Sequence, residues 1–479
     1  MPTSTLDAVV IGGGVAGMSA AWLLRHRNIV LLEESDRLGG RIRSEPRGDY
    51  WLNLGAHLFP GPGSTVHRMV EDLGLETVEI PGSKTGMYFD GRVRVHDRIE
   101  AYPLLLPLSI RERFALATVG LRLLALVKKW QRVAIPRRGE SEQARRLRLA
   151  QAESQRSFRD VLGRPCGRIN ELFETAARRS SCEIHEQSAA VGAMLFASHW
   201  SGKNDSTALN LLGGSGKLPE AVHAQLRDKV RLGTRVLEVR DVPDGVEVRY
   251  EDSSGEHRVP ARHAVVAAPA TAARQIIRGL PQDVDQALAA VRYGQFVVLG
   301  IITKEHDPMP WDDVYALTTP GLAFSMFFNH ANPLRNGARR IHGGSLMCYA
   351  GGDTARAAMS WTDEQIENEF TRDLLRVYPQ LEGLIEETVV QRWTTGSQYR
   401  PPGRESFSAL DRYAEQPDTT IHLAGDYYTP LGQIETAARS GAAAGRRVLQ
   451  ALDTDGVDHP AASIPGIGGT GLLPQHTDD

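Results

Sequence analysis

The sequence predicts an α/β fold containing a parallel sheet, and three observations in the first thirty-four residues carry that prediction. Residues 7–11 (DAVVI) form a short apolar run without alternation, the pattern of a strand buried on both faces. The series Gly12-x-Gly14-x-x-Gly17 follows directly and opens a segment, MSAAWLLRHR, whose apolar residues recur at helical spacing. NIVLLEE at 28–34 then supplies a second buried strand. Strand, glycine turn, helix and strand in this order make a Rossmann-like βαβ unit.

Beyond that unit the chain predicts an α+β part with a helical section. Short strands are expected around 78–97, inside a region from 60 to 205 that otherwise favours helix. Residues 101–110 (AYPLLLPLSI) are strongly apolar, and 111–130 carry an amphipathic helical period. Two alternating runs flank Pro243-Asp244-Gly245 within 231–250, a hairpin signal. HAVVAAP (263–269), 291–303 and 341–349 suit strands, and 362–378 suits a helix. IHLAGD (421–426) predicts a strand leading to a small-residue helix over 434–450, and 453–479 predicts a disordered tail.

Composition narrows the class of protein. The 55 Lys+Arg balance 58 Asp+Glu for a formal charge of -3, which argues against a dedicated nucleic-acid binder. Three cysteines, none in CxxC spacing, make neither a disulfide framework nor a zinc site. They make the cytoplasm the expected compartment. The longest uncharged stretch, 314–334, is broken by Pro320 and Pro333 and predicts strands and loops rather than a membrane span. Only seven of the basic residues are Lys. Between 111 and 168, 15 Arg/Lys face 5 Asp/Glu. Such a run is ordinarily a solvated helical surface; the sharper reading is a basic amphipathic face that touches a membrane surface, through 101–150, or an acidic partner.

The glycine series has a chemical purpose in this context. Gly12 allows the tight turn, Gly14 lets backbone approach a pyrophosphate, and Gly17 lets the helix pack on the strand. The amides of Val15 and Ala16 begin the helix, whose N-terminus attracts an anion. Glu33 ends the second strand, 21 residues after Gly12, where a carboxylate can accept hydrogen bonds from a ribose. An acid there argues against NADP.

The segment Glu33-Glu34-Ser35-Asp36-Arg37-Leu38-Gly39-Gly40-Arg41 resembles the second half of the FAD fingerprint of the flavin amine oxidase superfamily. That superfamily includes amine oxidases, protoporphyrinogen oxidases, and carotenoid and squalene desaturases. The resemblance runs on through Gly55-Ala56-His57-Leu58, Gly213-Gly214-Ser215-Gly216-Lys217-Leu218, Val236 within GTRVLEV, and Ala424-Gly425-Asp426 followed by Gln433-Ile434-Glu435. It implies non-covalent FAD, with Gly40 close to the cofactor, Arg41 on its pyrophosphate, Gly55 to Leu58 along the flavin and Val236 beside the adenine. It places Asp426 at the ribityl–phosphate part, and Gln433 and Ile434 at the helix end facing the flavin. It also implies a discontinuous FAD-binding domain (1–80, 206–275 and 395–452) and a substrate domain (81–205 and 276–394, helical over 101–205).

Two chemistries follow from that family, oxidation of a C–N bond or of C–C bonds, each delivering a hydride equivalent to flavin N5. Many amine oxidases of the family place a lysine on the strand matched by 293–299; here Val298 stands at that position and Lys304 lies beyond it. The two aromatic positions of their amine sandwich fall at Gln433 and near Gly396, with Tyr399 close by, and Thr395 stands near the position of a flavin-linking cysteine. Gly425-Asp426-Tyr427-Tyr428-Thr429 is similar to the form found in desaturases. These features favour C–C or ring dehydrogenation of a small or lipophilic substrate. Amine oxidation is the alternative, and a non-redox isomerase or mutase is a further one. Tyr399, Tyr428 and Gln433 are the pocket candidates. Oxygen or a quinone is left open as acceptor, as is oligomeric state.

Overall fold

The computed structural model describes residues 5–80, 85–96, 101–197, 208–335, 340–403, 407–416 and 418–454. The strand Leu6–Ile11 (β1), the helix Val15–Leu23 (α1) and the strand Ile29–Leu32 (β2) form the expected βαβ unit, with β1 and β2 parallel and in register from Ala8–Ile29 to Ile11–Leu32. β1 is central in a seven-stranded sheet ordered Val230–Arg231, β2, β1, Gly255–Val266, Gly245–Asp252, Arg235–Val242, with Ile421–Leu423 pairing Gly255–Val266. The 231–250 hairpin is thus two strands of this sheet. Their partner Gly255–Val266 starts antiparallel to the hairpin and ends parallel to β1.

On one face of this sheet, α1 packs against the helix Ile434–Thr454. The two approach backbone to backbone because the second helix presents glycine: a Cβ at Gly441 would lie 1.9 Å from the Ala16 carbonyl oxygen. This helix runs past the expected end at 450 and takes in residues 453 and 454; the remainder of the expected disordered tail lies outside the described residues.

A second seven-stranded sheet is ordered Ile385–Trp393, Phe296–Thr303, Gly344–Gly351, Met326–Asn329, Ala316–Thr318, Thr85–Phe89, Arg92–Val95. Period-two alternation sorts its side chains. Val297, Leu299 and Ile301 join Ile366, Phe370 and Leu374 of the helix Asp363–Val377 in one core. Val298, Met326, Phe328, Met347 and Tyr349 cluster on the opposite face. The helices Ile110–Ala134, Gly167–Ala177 and Ala189–Phe196 share a separate core around Leu116, Val119, Leu123 and Phe158. Among the described residues, no helix is long and apolar enough to cross a membrane.

Sequence reasoning passed over the strands Tyr50–Asn53 and Ile385–Trp393. All four residues of the first are buried, so it shows no alternation. The second mixes Glu, Thr and Arg with Val and offers no clean period.

Candidate active site

One cavity of about 2530 Å³ runs from the glycine turn of β1–α1 to the second sheet and the helical layer. Small-molecule sites are typically about 300–1,000 Å³, so this space suits a dinucleotide and a substrate together. Gly12, Gly14, Val15, Ala16, Glu33, Glu34, Gly40 and Arg41 line one end. Gly55, Ala56, His57, Leu58, Val236, Gly425, Asp426, Gln433 and Ile434 line the same cavity from other elements. The fold therefore gathers around one cavity positions spread from residue 12 to residue 434.

The glycine end has the shape of an anion cradle. Gly12 adopts φ +96°, a left-handed conformation that favours glycine, and Gly14 has open space where a Cβ would project. Gly17 does not line the cavity; a Cβ there would sit 1.8 Å from the Gly12 carbonyl oxygen, so its role is to seat α1 on the turn. The first amides of a helix have no intrahelical acceptor, which makes this turn a fit for a pyrophosphate. The Glu33 carboxylate accepts from the Gly13 amide and from the Ser35 amide and hydroxyl, so it is held rigid at the cavity edge.

Arg41 and Asp426 meet each other. The guanidinium makes a forked pair with the carboxylate, Nη1–Oδ2 2.7 Å and Nη2–Oδ1 3.0 Å, and Nη1 also donates to the Gly396 carbonyl oxygen. The sequence expectation sent each to a different part of the cofactor; in the structure a carboxylate occupies the fork. Burial opposes the charge on Arg41, but Asp426 outweighs it and leaves the guanidinium pKa raised.

Two other expectations need correction, and one resembling segment lies elsewhere. Tyr399 and Tyr428 do not reach the cavity. Tyr399 is buried in the short strand Gln398–Tyr399 against Arg292–Tyr293, and the Tyr428 hydroxyl donates to the Leu423 carbonyl oxygen at 3.2 Å. Both side chains are buried in the core rather than facing the cavity. Gly213 to Gly216 also lie away from the cavity; the Gly216 amide donates to Ser44 Oγ at 2.8 Å, packing this turn on the hairpin Ser44–Arg47/Tyr50–Asn53. Gln433 does line the cavity.

Sequence reasoning missed an aromatic wall. Phe296, Tyr315, Phe328, Tyr349 and Trp393 line the part of the cavity formed by the second sheet. Phe328 stacks on Tyr349 at 5.7 Å, and Phe296 meets Tyr349 edge-on at 5.3 Å. Alternation in 296–303 and 344–351 was the available signal, but which face points inward depends on what packs behind the sheet. Val298 is on the cavity face, and no lysine lines the cavity among the described residues. Arg179 is the cation on the helical side. Its Nε and Nη2 donate to the helix-end carbonyls of Ala176 and Leu195, both at 3.0 Å.

His57 lies at the junction of the two halves. Nδ1 is 3.1 Å from the Gly55 carbonyl oxygen, and Nε2 has no partner among the described residues. Its ring meets Phe328 and His330 edge-on. Burial pulls its pKa down to about 4 against the opposing Gly55 hydrogen bond, so it is neutral at pH 7. Burial likewise brings His422 down to about 3, with His263 and Arg447 adding to the shift, and lowers His330 well below the usual value. All three are depressed in the fold relative to the unfolded chain. Their contribution to stability is complete above about pH 6.5 and is lost as pH falls, for His57 toward 4 and for His422 toward 3, each of these two costing about 1.4 kcal/mol per pH unit. Urea midpoints should therefore drop steadily between pH 7 and 4.5. His422→Gln should lessen the slope by about one proton; a slope unchanged by that substitution would contradict the assignment.

A family model for flavin containing amine oxidoreductases matches residues 15–449. The L-amino-acid oxidase of Demansia vestigiata is 24% identical over 470 residues, spanning 92% of this chain and 86% of the relative. Cyclohexylamine oxidase from Brevibacterium oxydans superposes with a TM-score of 0.72 at 19% identity, covering 94% of this chain and 100% of that one. Putrescine oxidase bound to putrescine gives 0.71 at 18% identity, with the same coverages. The family match over most of the chain makes this a flavin-dependent oxidoreductase. The chain belongs to the flavin-containing amine oxidoreductase family, and FAD is its cofactor. These relatives are named for amine and amino-acid oxidation, so they favour the C–N alternative over the C–C preference drawn from the sequence.

Proposed function

We propose that this flavoenzyme oxidises the C–N bond of an amine to an imine, with oxygen as acceptor and hydrogen peroxide as co-product. The observation that carries the reading is the aromatic wall, Phe296, Tyr315, Phe328, Tyr349 and Trp393, on the same cavity as the glycine cradle. Among the described residues, the carboxylates that line the cavity are all committed elsewhere. Glu33 holds the turn, Asp426 holds Arg41, Glu34 faces Arg235, and Glu435 accepts from the Thr65 and Val66 amides. With Val298 where a lysine was sought and Arg179 as the nearby cation, an ammonium finds no free counterion against the aromatic wall among the described residues. Desolvation there favours the neutral amine, the form whose nitrogen lone pair assists C–H cleavage. Bound FAD supplies the two-electron oxidation. The chain's part is to exclude water with the aromatic wall and to hold the amine against the cofactor. The missing lysine therefore does not decide against amines.

The same reading divides the chain between an FAD-binding part (1–80, 206–275 and 395–452) and a substrate part (81–205 and 276–394). The strands of the first sheet all come from the former and those of the second from the latter, which supports the division. Non-covalent attachment is supported by Cys166, Cys182 and Cys348, none of which lines the cavity.

An amine and amino-acid panel read by peroxide release tests the reading. With a good substrate, kcat/KM should rise about tenfold per pH unit below the amine pKa, as the neutral fraction rises. Flavin bleaching by an unsaturated or ring substrate, with no amine turned over, would return the C–C reading.

A further inference from the structure

The helix Ile110–Ala134 carries a face that the fold leaves uncovered. Its buried side is Leu116, Val119, Leu123, Leu126 and Val127. On the opposite side Ile110, Phe114, Ala117, Leu121, Ala125, Lys128 and Arg132 recur every three or four residues, and all are exposed. Ile110 is 88%, Phe114 76% and Leu121 68% exposed, and Leu104 in the preceding turn is 80% exposed. Lone exposed apolar residues are ordinary, but a contiguous group marks a contact surface.

Charge identifies what it contacts. Residues 104–138 contain eight Arg/Lys and one acid, Glu112, and that acid is tied to Arg168. Arg111, Lys128, Arg132 and Arg138 are exposed and make no ion pair among the described residues. The stripe is thus apolar at its N-terminal end and cationic toward its C-terminal end. A second copy of this chain is a poor cover. Parallel pairing sets cation on cation, and antiparallel pairing sets apolar side chains on cations. An anionic bilayer satisfies both halves, acyl chains taking the apolar side chains and headgroups the cations.

The stripe also borders the cavity. Ala117, Gly120, Leu121 and Leu124 line it from this helix, and Tyr102 and Pro103 from the turn before. We propose that Ile110–Ala134 is a monotopic docking face that lies flat on an anionic lipid bilayer and turns the cavity mouth toward the acyl chains. Resting on the amine reading, the corollary is that an amine with an apolar tail enters from the lipid. The docking itself is independent of that reading.

Flotation of the full-length FAD-loaded protein with vesicles of phosphatidylcholine, alone or mixed with phosphatidylglycerol, tests the proposal. Binding is expected to the mixed vesicles, to weaken with salt, and to fall about fivefold or more both in I110S/F114S and in K128E/R132E. None of these four residues lines the cavity, so flavin content and turnover of a short soluble amine should be unchanged in both variants. No flotation, or equal flotation of wild type and both variants, overturns the proposal. So does a dimer on gel filtration that I110S/F114S dissociates and that ignores vesicles. Flotation without amine turnover would instead leave docking standing and remove the amine reading.

Discussion

Gly14→Asp should abolish FAD binding while leaving the polypeptide folded. Gly14 has φ −69° and ψ 179°, which any residue adopts, and a Cβ built on it meets nothing within 4 Å. The protein therefore has no internal reason for glycine at this position. Aspartate is even a favoured residue preceding a helix, by about 0.5–2 kcal/mol relative to alanine. What it opposes is the ligand: a carboxylate over the first amides of α1 takes the place of a pyrophosphate and repels it. The flavin-to-protein ratio should fall at least about tenfold, with circular dichroism unchanged. A yellow variant with full flavin would show that the cradle does not hold the cofactor. Gly17→Ala is the informative contrast. Its Cβ would stand 1.8 Å from the Gly12 carbonyl oxygen, so it should damage the fold itself.

Asp426→Ala should destabilise the cofactor-free protein by about 3 kcal/mol, the lower part of the range for breaking a buried ion pair. The Asp426 side chain is almost wholly enclosed and that of Arg41 about one-third exposed, which is why the lower part applies. Removing the acid leaves the guanidinium facing the Gly396 carbonyl oxygen and, at 5.7 Å, the Tyr293 ring. Asp426→Asn keeps an acceptor and should cost less. Arg41→Met with Asp426→Leu should recover part of the loss, because no unpaired charge is left behind. Urea unfolding of the apo forms measures all three. A loss under about 0.5 kcal/mol in the alanine variant would mean that the pair contributes nothing to stability, and that its residues are kept for the cofactor alone.

The site residues legible in the sequence were those whose requirement is local. The roles of Gly12 and Gly17 follow from the turn between one strand and the next helix, and Glu33 from the end of β2. Gln433 and Ile434 were reachable only through the family resemblance, which places them at the start of the last helix. Tyr399 and Tyr428 were misplaced because proximity in sequence to Gly396 or Asp426 says nothing about the direction of a side chain. One lies within a two-strand pairing, and the other turns its hydroxyl to Leu423. The 231–250 hairpin was legible from its turn, and Ile385–Trp393 was not, since its ladder with Phe296–Thr303 joins residues distant in the sequence, from Thr303 with Ile385 to Phe296 with Trp393. The C–C preference had a similar weakness. It treated Val298 as a lost function, whereas in the proposed amine reading the aromatic chamber around it would favour the neutral amine without a charged group.

By itself, then, the sequence determined the βαβ unit, the class of cofactor and the apolar, basic character of 101–150. These are properties of short segments: backbone conformation, helical period and charge density are set by neighbours in the chain. The tertiary structure decided that Arg41 pairs with Asp426, that His57 is buried and neutral, and that five aromatic side chains face one cavity. It also decided that the stripe from Ile110 to Arg132 is left uncovered at that cavity's edge. Each of these depends on burial, and burial is decided by what distant segments pack against, which no local pattern encodes.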